Sequence, residues 1–209
     1  MRNDASSQIP LSDNLRKYKS RNPLKRILLS RFIKQLLDVY SEKRGKELLE
    51  VGCGEGMLLK EFAQRWPSLK LSGLDVSPDA IRAAERIAPE ASLLEGSAFD
   101  LPFESDSFDT VLCVEVLEHL SDPARAMQEI ARVASQRIIL SVPHEPWFRL
   151  GNLAVLSHPL TLGNPPDHCN HWRVGSFLSW ASEWMDIERV ETPFPWIISS
   201  GKPKSLGAN

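Results

Sequence analysis

After Asn22-Pro23, apolar residues recur at helical spacing through Leu24, Ile27, Leu28, Phe32, Ile33, Leu36, Leu37 and Tyr40, with Lys25, Arg31 and Lys34 on the other face. The pattern predicts an amphipathic helix, either a core helix with a solvated face or one that touches a membrane or RNA. From residue 47 the period changes. Short apolar strands are predicted at Glu47–Val51, Lys70–Leu74, Ala91–Leu94, Phe108–Val114 and Arg137–Val142. Helices are predicted between them at Gly56–Trp66, from Pro78 to about Ile87, and at Pro123–Val133. Ser77-Pro78-Asp79 places an N-cap before a proline at the first helical position. Strands alternating with helices of this length predict right-handed βαβ units and a mostly parallel sheet covered on both faces.

The last third has a different texture. Residues 143–172 contain Pro143, Pro146, Pro159, Pro165 and Pro166 together with four of the five histidines, and five of the six tryptophans lie beyond residue 146. Such a stretch is too long for a plain connection and predicts a segment that lids or lines a site. A helix Val174–Trp184 and two short strands, Ile187–Glu191 and Trp196–Ser200, follow. The chain therefore divides into a mobile basic arm at 1–22, a single domain at 23–200 and a tail at 201–209.

Composition supports one globular domain: 209 residues, 42% hydrophobic and 25% charged. The net charge of −2 excludes a uniformly basic nucleic-acid binder, yet it is the sum of unlike parts. Residues 1–46 carry 12 Lys and Arg against 4 Asp and Glu, while the remainder carries 13 against 23. No apolar run is long enough for a membrane span, and no secretory signal opens the chain. Cys53, Cys113 and Cys169 have no paired spacing, which predicts reduced thiols in the cytoplasm and excludes a cysteine-built zinc site.

In an open parallel sheet, ligands bind beyond the carboxyl ends of the strands. The first strand ends in Leu49-Glu50-Val51-Gly52-Cys53-Gly54-Glu55-Gly56, where glycines permit a sharp turn and close approach of a ligand. Asp75 closes the second strand, where a carboxylate can accept both ribose hydroxyls. The spacing is G-x-G-x-G, not the G-x-G-x-x-G of dinucleotide sites, and no Gly-Lys-Ser/Thr follows as in a phosphate-binding loop. Glu50 and Glu55 would repel a pyrophosphate. They suit a cationic ligand such as a sulfonium with a free ammonium group.

With these motifs in place, residues 47–142 resemble the cofactor half of class I S-adenosylmethionine-dependent methyltransferases. They are similar to the methyltransferase type 11 group that includes quinone-biosynthesis and other small-molecule enzymes. Besides the glycine loop, Gly73-Leu74-Asp75-Val76-Ser77, the segment Glu95 to Phe103, Phe108-Asp109-Thr110-Val111 and Val116-Leu117-Glu118-His119 carry the resemblance. It implies an α/β, Rossmann-like, doubly wound seven-stranded sheet, mostly parallel with the last strand antiparallel. It implies S-adenosyl-L-methionine as cofactor, with Glu50, Gly52, Cys53 and Gly54 on the methionine moiety and Asp75 on the ribose. Val76, Ser97, Ala98 and Phe99 would meet adenine, and Val114 and Glu115 the ammonium. Ser97 stands where the family usually has Asp, and Ala134-Ser135-Gln136 replaces a Gly-Gly turn, which predicts a shortened hairpin before strand five.

The acceptor chemistry has more than one reading. A hydroxyl nucleophile needs a base or a metal, and His144, His119 and His168 are the catalytic candidates. Glu115, Glu118, His119 and His168 could hold a divalent metal, in an arrangement that resembles the small-RNA 3′-terminal 2′-O-methyltransferases; the alternative makes Glu118 and His119 helix-start and packing residues. Trp147 and Phe148 are candidates for contacting an apolar or aromatic small-molecule acceptor, whereas Trp172, Trp180 and Trp184 read as core. The expected activity is O-, N- or C-methylation of a small molecule. The alternatives are a metal-assisted RNA 2′-O-methyltransferase and a non-catalytic cofactor-binding partner subunit.

Overall fold

The computed structural model describes residues 22–154 and 168–204. The expected arm up to residue 21, residues 155–167 of the predicted lid segment and residues 205–209 of the tail lie outside the described residues. In chain order the elements are α1 Pro23–Glu42, β1 Glu47–Val51, α2 Met57–Arg65, β2 Lys70–Asp75, α3 Pro78–Ile87, β3 Ser92–Glu95 and β4 Phe108–Val114. After a 3-10 turn at Leu117–His119 come α4 Pro123–Val133, β5 Ala134–Pro143, α5 Trp147–Ala154, α6 Val174–Ala181, β6 Met185–Glu191 and β7 Trp196–Pro203. The seven strands form one sheet in the order β3-β2-β1-β4-β5-β7-β6. All pairings are parallel except those of β7, which runs antiparallel to both β5 and β6. The predicted architecture is the observed one.

Helix starts follow local chemistry. The Asn22 side chain accepts from the amides of Leu24 and Lys25 at 2.9 and 3.4 Å, Ser77 from Ala80 at 3.3 Å, and Asp122 from Arg125 at 3.1 Å. Each cap precedes a proline whose missing N–H costs the first turn nothing. The inner strands β1, β4 and β5 are apolar over most of their length because both faces are covered. Along β5, Ile138, Leu140 and Val142 join one buried cluster with Met127, Ile130 and Phe177, while Ile139 joins the other with Phe32, Leu36, Tyr40 and Phe62. By the same alternation Leu48 and Glu50 of β1 face the α1 and α2 side.

Several predicted boundaries move. No turn or shortened hairpin precedes β5: Val133 ends α4 and Ala134 is already paired with Phe108, with a register shift between Phe108 and Thr110 absorbing the mismatch. Helix α6 stops at Ala181 instead of Trp184, because the chain turns there to begin β6 at Met185. Strand β7 runs past residue 200 to Pro203, since β6 begins at Met185, two residues before the predicted Ile187, and pairs Met185 with Pro203. The predicted irregular segment contains α5, which begins just after Pro146. Phe148 is therefore a buried helix residue, ring to ring with His168 and Trp196, and not a loop side chain facing an acceptor. Trp147 in the same helix is exposed. Trp172 and Trp180 pack with Phe177 as core, as predicted, and Trp184 is partly buried beside them.

Candidate cofactor site

Strand order reverses between β1 and β4, so the chain leaves the sheet in opposite directions there and opens a cleft at the carboxyl edge. The loop after β1 has Gly52, Gly54 and Gly56 all at positive φ, 76°, 53° and 76°. The amides of Gly52 and Cys53 both donate to the Leu74 carbonyl, at 2.7 and 3.0 Å, which ties the loop to β2. A Cβ on Gly52 would run into the Val116 side chain, so the backbone can pass here only as glycine.

Asp75 is the hinge of this region. One of its carboxylate oxygens accepts the Gly54 amide at 2.9 Å and the other accepts the Ser77 amide at 2.9 Å. Each oxygen keeps a second lone pair, so the group can still receive hydroxyls from a ligand. Just beyond it, Val76 is 74% exposed, an unusual setting for an aliphatic side chain and a ready platform for a flat ring. Across from it, the Ser97 hydroxyl accepts the Phe99 amide at 3.2 Å, and the Arg125 guanidinium lies 5.7 Å from the Phe99 ring centre. Ser97 thus shapes its own turn, and Ala98 packs against the core.

The cleft itself is lined by Glu50, Gly52, Cys53, Val114 and Glu115 from the sheet edge, and roofed by α1. Glu50 is 4% exposed, and its Oε2 has no hydrogen-bond partner among the described residues. Burial, reinforced by the nearby Asp75 charge, pushes its carboxyl well above the usual carboxylate range. Burial likewise raises the Cys53 thiol, with Glu50 and Asp75 adding to it, so this cysteine is an inert wall and not a nucleophile. Held in this way the Glu50 carboxyl is protonated, and ionising it calls for a positive partner. A cationic ligand supplies one, and the glycine cradle supplies the room.

Glu115 departs from its predicted role as a metal ligand. It sits at φ 57°, in the left-handed region, which sends its side chain back across the sheet edge. There its carboxylate accepts the Ser141 hydroxyl at 2.8 Å and the Trp196 indole N–H at 2.7 Å. The other three predicted ligands do converge: one donor atom each from Glu118, His119 and His168 lie within 4.8 Å of one another. Glu118 and His168 are buried, and the two imidazole rings meet edge to face at 4.8 Å. His144 ends the same edge just after β5, its amide donating to the Pro195 carbonyl at 2.9 Å. Burial holds its imidazole below the ordinary histidine range, so it is neutral near neutral pH.

Five lining residues have no counterpart among the predicted site residues: Leu29 and Phe32 of α1, Met57 and Leu58 of α2, and Trp196 of β7. The signal for Phe32 was its place on the apolar stripe of α1, which reads equally as core. Trp196 carried no local signal, because antiparallel β7 brings it to the cleft from the far end of the domain.

Residues 49–140 match the family model described as a methyltransferase domain. Among curated relatives, norajmaline N-methyltransferase from Rauvolfia serpentina is 32% identical over 111 residues, 49% of this chain and 38% of that protein. Ubiquinone biosynthesis O-methyltransferase from Paracidovorax citrulli is 35% identical over 103 residues, 46% of this chain and 42% of that protein. The chain thus spans about two-fifths of the length of these relatives. Among solved structures, magnesium protoporphyrin IX methyltransferase from Synechocystis PCC 6803, with bound S-adenosylhomocysteine, superposes with a TM-score of 0.69 at 17% identity. That superposition covers 93% of this chain and 96% of the other, and it shows a shared fold. The stretch that matches the methyltransferase-domain model, residues 49–140, carries the glycine loop, Asp75 and the sheet-edge wall of the cleft.

Proposed function

We propose that the protein transfers a methyl group from S-adenosylmethionine to a small apolar or aromatic acceptor. The observation that carries this reading is Glu50, a buried carboxyl without a hydrogen-bond partner among the described residues, at a glycine-lined cleft. In this reading Glu50 and Glu115 hold the ammonium, with the Val114 backbone beside them. Gly52, Cys53 and Gly54 line the methionine chain, and Asp75 takes the ribose hydroxyls. Val76, Ser97, Ala98 and Phe99 surround the adenine. The N- and O-methyltransferases among the relatives support a small-molecule acceptor.

S-adenosylmethionine supplies an already activated methyl sulfonium. The chain's own work is alignment and exclusion of water, and such positioning contributes roughly 7–11 kcal/mol. Leu29, Phe32 and Trp196 exclude water from the cleft. His144 takes the proton of a hydroxyl or amine acceptor on its neutral ring. The three free cysteines suit a reducing compartment, and we place the protein in the cytoplasm.

A second reading rests on Glu118, His119 and His168. Two imidazoles and a carboxylate fit zinc, manganese or iron, and an ion held there would act as a Lewis acid toward an acceptor hydroxyl, as a metal-assisted RNA 2′-O-methyltransferase would use it. The acidic body of the chain favours the small-molecule reading. Tritiated methyl transfer separates them. Label in a solvent-extractable metabolite supports the first reading. Label in RNA that is lost on chelation supports the second. Cofactor binding without transfer to either pool indicates a non-catalytic subunit.

A further inference from the structure

Five of the eight large apolar side chains exposed among the described residues flank the candidate cleft. They are Leu24 and Ile27 of α1, Trp147 and Leu150 of α5, and Phe194 of the β6–β7 loop, each 48–54% exposed. Their elements meet around one residue. Phe32 of α1 lies 4.8 Å from the Trp196 ring, Phe148 of α5 lies 6.4 Å from it, and Trp196 itself lines the cleft. Phe194 reaches α5, where a Cβ on Gly151 would lie 3.9 Å from its ring. Leu24 and Ile27 are less than three turns upstream of Leu29 and Phe32, which roof the cleft from the opposite face of α1.

The charge on α1 matches one kind of surface. Residues 23–34 contain Lys25, Arg26, Arg31 and Lys34 and no acid. Its acids, Asp38 and Glu42, come in the last turns, where Lys34 bonds Asp38 at 2.6 Å. Arg26, Arg31 and Lys34 surround a hollow on the outer face with Ile27 and Ser30. A helix face of cations interspersed with protruding aliphatic residues suits an interface of anionic headgroups over acyl chains. A nucleic acid would use the cations and leave the aliphatic side chains wet.

We infer that the outer face of α1, with Trp147, Leu150 and Phe194, docks the mouth of the cleft on an anionic membrane surface. The inference rests on the proposed apolar acceptor and adds where that acceptor is met: dissolved in a bilayer. The cations contact lipid headgroups, and Leu24 and Ile27 enter the boundary of the acyl region.

Vesicle sedimentation of the full chain at physiological ionic strength tests this without methyl transfer. Vesicles of equal phosphatidylglycerol and phosphatidylcholine should carry the protein down, and pure phosphatidylcholine should not. Arg26→Glu with Arg31→Glu, and separately Leu24→Ser with Ile27→Ser, should each lower binding about tenfold or more while S-adenosylmethionine affinity stays unchanged. The inference is overturned if the unaltered protein stays in the supernatant. It is also overturned if both pairs of substitutions leave binding intact, which would place the contact elsewhere, or if a single-stranded RNA binds α1 in preference to vesicles. Methyl transfer to a soluble acceptor alongside failed sedimentation would leave the methyltransferase reading standing and remove only this one.

Discussion

The Trp196 indole donates to the Glu115 carboxylate across 2.7 Å, fastening the last strand to the turn after β4 at the wall of the cleft. Ser141 holds the same carboxylate at 2.8 Å, and Phe32 lies against the indole at 4.8 Å. A loop, two strands and α1 therefore meet on one hydrogen-bonded pair. Trp196→Phe keeps the ring packing but removes the donor. A hydrogen bond to a charged group contributes roughly 1.5–3 kcal/mol, so the melting temperature should fall by several degrees, and cofactor affinity should fall about tenfold as Glu115 loses its anchor. Calorimetric titration alongside thermal unfolding checks both halves of that statement.

Glu50 predicts a specific pH dependence. Unfolded, a glutamate titrates near ~4.3; folded, burial and Asp75 raise it. The cofactor-free protein therefore holds this group's full contribution to stability below the unfolded value and loses it as pH rises toward the folded one. A cation that binds the ionised carboxylate has the opposite slope, so S-adenosylmethionine affinity should strengthen over the same window, with release of a proton. Glu50→Gln should flatten both slopes. Titrations in buffers of different ionisation enthalpy measure the proton directly.

Gly52→Ala should damage the fold and the site together. The residue has φ 76°, and the new methyl meets Val116. A cost of about 1–3 kcal/mol in unfolding free energy is expected, with loss of cofactor binding even below the melting transition. Gly175, whose added Cβ would meet nothing within 4 Å, serves as the tolerant comparison.

With His144 as the proposed base, the rate profile should have an acid limb set by its imidazole. Its ionisation is held below the ordinary histidine range, so the ring is a base at neutral pH and loses that function as pH falls through its lowered value. His144→Gln should remove the limb and lower kcat roughly 100-fold for a hydroxyl acceptor, while cofactor affinity is unchanged. Single-turnover rates across pH, with the unaltered protein in parallel, decide it.

Much of the fold and of the cleft is legible in the sequence. The inner strands β1, β4 and β5 read as apolar runs because they are buried on both faces, and Gly52, Gly54 and Asp75 stand at strand ends where sequence and space coincide. Helix α5 was hidden by Pro146, which reads as a breaker but sits just ahead of the first turn. At Glu115 the Glu-x-x-Glu spacing suggests one helical turn. The actual backbone is left-handed at 115, and only Leu117–His119 is helical. Its partner Trp196 is 81 residues away and meets it only because β7 returns antiparallel along β5. Contacts of that separation leave no periodic trace.

In the proposed reading, the cleft between β1 and β4 holds S-adenosylmethionine with its ribose on Asp75. Isothermal titration of S-adenosylmethionine into the unaltered protein and into Asp75→Ala tests it most directly. The account predicts one site per chain, unaffected by excess NADH or ATP, and at least about tenfold weaker binding after the substitution. No binding to the folded protein, equal binding by the folded Asp75→Ala protein, or displacement by NADH would contradict it.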